Sequence, residues 1–273
     1  MHLAYPVGTP DTHAAFMGFN GDFERNISDI KAIGYKAVEL SVRDPDEMDV
    51  LQVVNQLKEK ELEVAAILAT HVTRDDRLTL LSQDPMVKHA AKERLKKVIA
   101  LASRFGGAPV SIGKFRGSFT GIDKEEALRT LAGIIRELCE YAQKYNVTLL
   151  IEPQHAGSIN NLNTVAETLA WIESVNRPNL ALHLDTFHME TTEASPLQSI
   201  VLAGEKIGYI HCSDSDRRIP GEGTIDLGKF FSMLRSVGYE GYIGMEIEQH
   251  PSYYQAAQSS YLAMNKLLKE LQE

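Results

Sequence analysis

The feature that most constrains this chain is a strict alternation: short apolar runs, each followed by a longer stretch with helical spacing of its apolar residues, from one end to the other. Candidate strands fall near 3–6, 36–41, 63–68, 109–113, 147–152, 180–185, 207–212 and 241–247. Helical patterns lie near 23–33, 47–60, 85–105, 124–145, 163–175, 195–204, 227–236 and 252–272. Strand–helix units in unbroken succession make the strands parallel, because each crossover returns the chain to the end where the previous strand began. Eight such units can close into a (β/α)8 TIM barrel, a fold that typically takes about 250 residues. No Pro/Gly/Ser-rich linker divides the sequence, so residues 1–273 read as one α/β barrel domain. An open doubly wound sheet would call for a glycine-rich phosphate turn after the first strand, and the sequence has none there.

Local punctuation supports this division. Asp84-Pro85 supplies a cap and a first-turn proline for the third helix, and Gly106-Gly107 closes it. Gly34-Tyr35 and Gly238-Tyr239 mark equivalent helix-to-strand turns, each leading into an apolar strand with a glutamate near its end (KAVEL and YIGMEI), a weak echo of an internal repeat. The net charge of -9 argues against a nucleic-acid partner, which needs a basic surface. Cys139 and Cys212 form no disulfide framework, so a reducing compartment is expected. The first residues lack a basic segment leading into an apolar one, and no apolar run is long enough to span a bilayer, so a cytoplasmic protein is expected.

The chemistry gathers on four consecutive strands. Strand five ends at Glu152, strand six at Asp185, strand seven carries His211 and strand eight Glu246. Side chains two residues apart share a face of a strand, so all four polar groups point to the C-terminal mouth, where such barrels keep their active sites. Three carboxylates at a partly desolvated mouth repel one another, and one divalent cation relieves that cost. A set rich in oxygen with one imidazole suits Mn²⁺ or Mg²⁺, with Co²⁺ or Zn²⁺ as further options.

His188, three residues after Asp185, is placed to bind the metal or donate to a substrate oxygen, and Glu248 is a rival of Glu246 as a ligand. Arg217, with Arg218, lies on the loop after strand seven and can grip hydroxyls, a carboxylate or a phosphate. Lys114 and Arg116, just past strand four, form a second basic pair expected at the same mouth and hint at an acidic substrate. His183 and Trp171 read as core groups, while Glu39, His13 and His71 have no assigned role.

The segments IEP (151–153), HLDTFHM (183–189), IHC with DRRIPGEG (210–223) and GYIGMEIE (241–248) resemble the sugar isomerase/epimerase superfamily of xylose isomerase-like barrels. The likeness is greatest to ketose 3-epimerases of the tagatose and psicose type and to 5-keto-L-gluconate epimerase, which residues 19–45 resemble in particular. The resemblance implies that Glu152, Asp185, His211 and Glu246 hold one Mn²⁺, Mg²⁺ or Co²⁺, and that Glu152 and Glu246 are also the acid/base pair. It implies that His188 and Arg217 contact the carbonyl end of a sugar, and that the protein assembles as a dimer or tetramer.

One segment departs from the family. EPQHAGSINN puts His155, Ala156 and Ser158 where an Asn-Arg pair and a second glutamate usually meet the substrate. The expected activity is proton transfer through an enediolate, with C3 epimerisation of a ketose or keto-sugar acid favoured over an isomerase of hydroxypyruvate or an isomerase or dehydratase of an inosose. An apurinic endonuclease-like phosphodiesterase fits poorly, since strand four ends SIGKF without the extra histidine and the chain is acidic. A non-catalytic sugar-binding barrel would not need the whole ligand set.

Overall fold

The computed structural model describes residues 1–121 and 123–271. Eight parallel strands pair in chain order and close on themselves: β1 (His2–Gly8), β2 (Ala37–Ser41), β3 (Glu63–Leu68), β4 (Val110–Ser111), β5 (Leu149–Ile151), β6 (Leu180–Asp185), β7 (Ile207–Cys212) and β8 (Tyr242–Met245). β8 pairs with β1 through His2–Tyr242 and Leu3–Ile243, which completes the barrel. The expected fold class is therefore the one observed.

Among the described residues, ten α-helices surround it: α1 (Phe23–Ile33), α2 (Val50–Glu59), α3 (Thr70–Arg74), α4 (Pro85–Ala102), α5 (Lys124–Gln143), α6 (Val165–Val175), α7 (Thr186–Thr192), α8 (Pro196–Ala203), α9 (Leu227–Ser236) and α10 (Tyr253–Glu270). Residue 272, included in the last expected helix, lies outside the described residues. The Asp84 carboxylate accepts from the Met86 amide at the head of α4, as its sequence position predicts. Past the end of α4, Gly106 takes the left-handed backbone conformation (φ +69°) that other residues adopt only at a cost.

Two helices were not foreseen, α3 after β3 and α7 after β6, and both sit at the C-terminal mouth. Observed β4 and β5 are shorter than their apolar runs; after β4 a 3₁₀ turn at Gly113–Arg116 diverts the chain soon after Ser111.

The apolar outer face of each strand packs under the helices in the main core, with Trp171 and Cys139 among its members. Inside the barrel lies a smaller plug of Ala4, Ala37, Ala65, Ala66, Leu150 and Tyr209. Small side chains there leave room for bulkier polar groups above them. No helix is long and apolar enough to cross a membrane among the described residues.

Candidate active site

Strand register determines which groups meet. Asp185 is paired with His211 across β6 and β7, and His211 with Gly244 across β7 and β8. Glu246, two residues past Gly244, returns to the same inward face, and Glu152 follows directly on β5. Glu152, Asp185 and His211 are buried and Glu246 is half-buried. From His211 Nδ1 the distances are 3.4 Å to Glu246 Oε2, 3.7 Å to Asp185 Oδ2 and 3.9 Å to Glu152 Oε1. Ligand bonds of about 2.0–2.2 Å place neighbouring donors roughly 3–3.5 Å apart, so little contraction is needed to surround one cation. His211 Nδ1 and Glu152 Oε1 are buried with no hydrogen-bond partner, which is costly unless a cation or a substrate satisfies them. The donor set thus fits a divalent metal. His183 and His188 each also fall in a compact group with two of these residues, within 4.8 Å.

Glu39, unassigned from sequence, proves to be part of this arrangement. Fully buried on β2, it takes a hydrogen bond at 2.7 Å from His211 Nε2. A proton fixed on Nε2 turns the Nδ1 lone pair toward the carboxylates, the usual role of an acid behind a metal-binding histidine. Burial opposes charge on His211, but Glu39 and Glu246 outweigh it and raise its pKa, so a cation bound at Nδ1 would take the place of a proton there. The signal that could have found Glu39 is the repeat echo of a glutamate near the end of KAVEL, matching that in YIGMEI.

Gly244 makes the arrangement possible. A Cβ there would lie 2.5 Å from Tyr209 Oη and 2.6 Å from Glu39 Oε2. Gly244→Ala is accordingly expected to push Glu39 off His211, destabilising the fold by about 1–3 kcal/mol and weakening divalent-ion binding roughly 10–100-fold. Urea denaturation and metal titration of the variant measure both effects.

Around the acids stand the groups that set their charge. Arg217 Nη1 donates to Asp185 Oδ2 at 2.6 Å and lies 2.9 Å from Glu246 Oε2, while Nη2 is 3.1 Å from His188 Nε2. The guanidinium packs over the Phe187 ring at 4.7 Å. Asp185 also accepts from the His188 amide, so the residue that serves the site caps α7 and orients His188. Burial lifts the Glu152 carboxyl to about 8, with Asp185 and Glu246 adding to the rise. Burial would also lift Glu246, but Arg217 and His211 hold it well below the usual range. Burial drives His188 down to about 4, leaving it neutral with Nδ1 unpartnered. Gln154 donates to Glu152 Oε2 at 2.6 Å, which leaves Oε1 to face inward.

These groups line one cavity of about 220 Å³, together with the polar Ser111, Lys114, His155 and Ser158 and the apolar Met17, Leu68 and Phe187. Arg116 does not join them, contrary to expectation. It is fully buried, donating to Gly113 O at 2.7 Å, Asn161 Oδ1 at 2.8 Å and Asn161 O at 3.0 Å, and burial pushes its pKa down to about 10. The reason is local: Lys114 and Arg116 lie on a 3₁₀ turn, where side chains two residues apart point to different sides. Glu248 is exposed, with its amide bonded to the Arg217 carbonyl, and Ala156 faces solvent. His183 is a buried barrel residue, its Nδ1 2.8 Å from Ser111 Oγ.

Comparison with known proteins agrees with the fold. Residues 27–269 match the family model described as xylose isomerase-like TIM barrel. An L-ribulose 3-epimerase of Methylomonas sp. (strain DH-1) is 31% identical over 219 residues, 78% of this chain and 74% of that protein. An L-ribulose 3-epimerase of Mesorhizobium japonicum is 31% identical over 228 residues, 82% and 75% of the two chains. Among solved structures, a D-allulose 3-epimerase from Methylomonas sp. in complex with D-allulose superposes with a TM-score of 0.80 at 24% identity, covering 98% of this chain and 97% of that one, a likeness of fold. The chain belongs to the xylose isomerase-like TIM-barrel family, as a carbohydrate epimerase or isomerase.

Proposed function

We propose that this protein is a divalent-metal-dependent epimerase that inverts the carbon beside the carbonyl of a ketose or keto-sugar acid, with C3 as the favoured position. The observation that carries this reading is the convergence of Glu152 Oε1, Asp185 Oδ2 and Glu246 Oε2 on His211 Nδ1 within 3.9 Å. Those four residues would hold the cation, with Mn²⁺ the first choice and Mg²⁺, Co²⁺ or Zn²⁺ as alternatives. When bound, a divalent ion draws electron density from a neighbouring carbonyl and hydroxyl and so acidifies the C–H beside the carbonyl.

The protein's own groups do the rest. One glutamate takes the proton from that carbon and the other returns one from the opposite side, which inverts the centre. Glu152 and Glu246 follow β5 and β8, three strands apart around the barrel, and so suit opposite faces of a sugar lying over the mouth. Neutral His188, with Arg217 beside it, would orient the carbonyl end, and the apolar surface of Met17, Leu68 and Phe187 in the lining would help to keep water out.

The test is NMR of neutral ketoses and keto-sugar acids incubated with the protein in D2O. With Mn²⁺ added, deuterium is expected at C3 together with a second epimer, and a chelator is expected to stop both. An aldose product would mark isomerisation instead. No exchange into any member of the panel would refute the reading.

A further inference from the structure

The lining of the cavity includes two exposed cations that the proton-transfer chemistry does not use. Lys114, on the turn after β4, and Arg74, the last residue of α3, both line it. Neither forms an ion pair with a carboxylate among the described residues, whereas Arg43 and Arg94 are tied to Asp76 and Asp44. Arg74 is fixed along one edge by donating through Nη1 to the Ala15 carbonyl at 2.5 Å. The two carboxylates that line the cavity, Glu152 and Glu246, stand 3.9 and 3.4 Å from His211 Nδ1, and Glu246 lies 2.9 Å from Arg217. The lining also carries the polar groups of Thr70, Thr73, Ser158 and His155. His155 stays neutral because burial first, then Lys114 and Arg217, disfavour its protonation. In a chain of net charge -9, two uncompensated cations facing one cavity run against the overall bias and focus a local positive field there.

We propose that Lys114 and Arg74 form an anion subsite, and that the preferred substrate is a sugar bearing a terminal carboxylate or phosphate rather than a neutral ketose. A charged terminus receives charge-assisted hydrogen bonds from an ammonium and a guanidinium, which a neutral hydroxymethyl end cannot match. The placement of the keto end over the inner acids rests on the epimerase reading above; the subsite itself does not.

Two measurements on the Mn²⁺-loaded protein decide it. In calorimetric titrations, gluconate is expected to bind roughly 10–100-fold more tightly than sorbitol, and the Lys114→Met/Arg74→Met double variant is expected to lose that preference. Equal binding by the wild type overturns the proposal. So does a preference that survives in the variant, which would place the carboxylate on the metal. In turnover assays, the ratio of kcat/KM for a hexulosonate or a hexulose 6-phosphate over the neutral hexulose is expected to fall at least about tenfold in the variant. The more favoured of the two anions identifies the terminal group, and an unchanged ratio overturns the proposal. Should no sugar turn over at all, the epimerase reading fails and the titrations alone decide the subsite.

Discussion

Glu152→Gln and Glu246→Gln are each expected to lower turnover by about a thousandfold or more, since on the proposed mechanism each removes a proton-transfer group and weakens a metal ligand. The two effects separate by measurement. Glutamine keeps the length of the side chain and one carbonyl oxygen, so metal content of the purified variants reports loss of a ligand. Hydrogen exchange reports loss of a base. With Glu246→Gln, Glu152 can still remove and return the proton on its own face, so one epimer should exchange its C3 hydrogen without inverting. With Glu152→Gln the other epimer should do so. A pair of variants that hold their metal, fold normally and exchange opposite epimers would establish one base on each face. Variants that retain more than about a tenth of wild-type turnover, or exchange the same epimer, would remove these residues from the acid/base roles.

The barrel and the meeting of its four polar strand ends were legible in the sequence because both depend on period alone. Alternation at a spacing of two decides which residues face inward, and parallel order decides that consecutive strand ends share a rim. Asp185 and His211 indeed stand side by side in the register. What escaped depends on local geometry that period does not encode. Lys114 and Arg116 look equivalent in sequence, yet a 3₁₀ turn sends one to the cavity and buries the other against Asn161. α7 falls outside the helical patterns because its seven residues, TFHMETT, are too short to show helical spacing, although Asp185 in the preceding position is a good cap. Glu39 went unassigned because its partner, His211, is remote in sequence and meets it only across the closed barrel.

Arg217→Met is expected to destabilise the metal-stripped protein by about 3 kcal/mol, because it leaves Asp185 and Glu246 without their nearest cation. At roughly 2–4 °C per kcal/mol, that is a fall in Tm of about 6–12 °C. The surrounding loop shows how firmly this residue is placed. Its backbone is left-handed, φ +58°, a conformation that costs a non-glycine residue energy and persists where neighbours impose it. Here the Asp214 carboxylate does so by accepting from the Ser215, Gly221 and Ile225 amides, and the Arg217 carbonyl accepts from Glu248. A cation bound by Asp185 and Glu246 must share their oxygens with the guanidinium. Removing the guanidinium therefore raises the gain from metal, and the metal-induced increase in Tm should be larger in the variant than in the wild type. If Arg217 has its proposed substrate role, turnover should nevertheless fall by about 10²-fold or more. Arg217→Lys, which keeps the charge but loses the fork, should recover most of the stability and little of the turnover. Equal metal-induced increments in wild type and variant would mean that Arg217 and the cation do not compete for the same carboxylates.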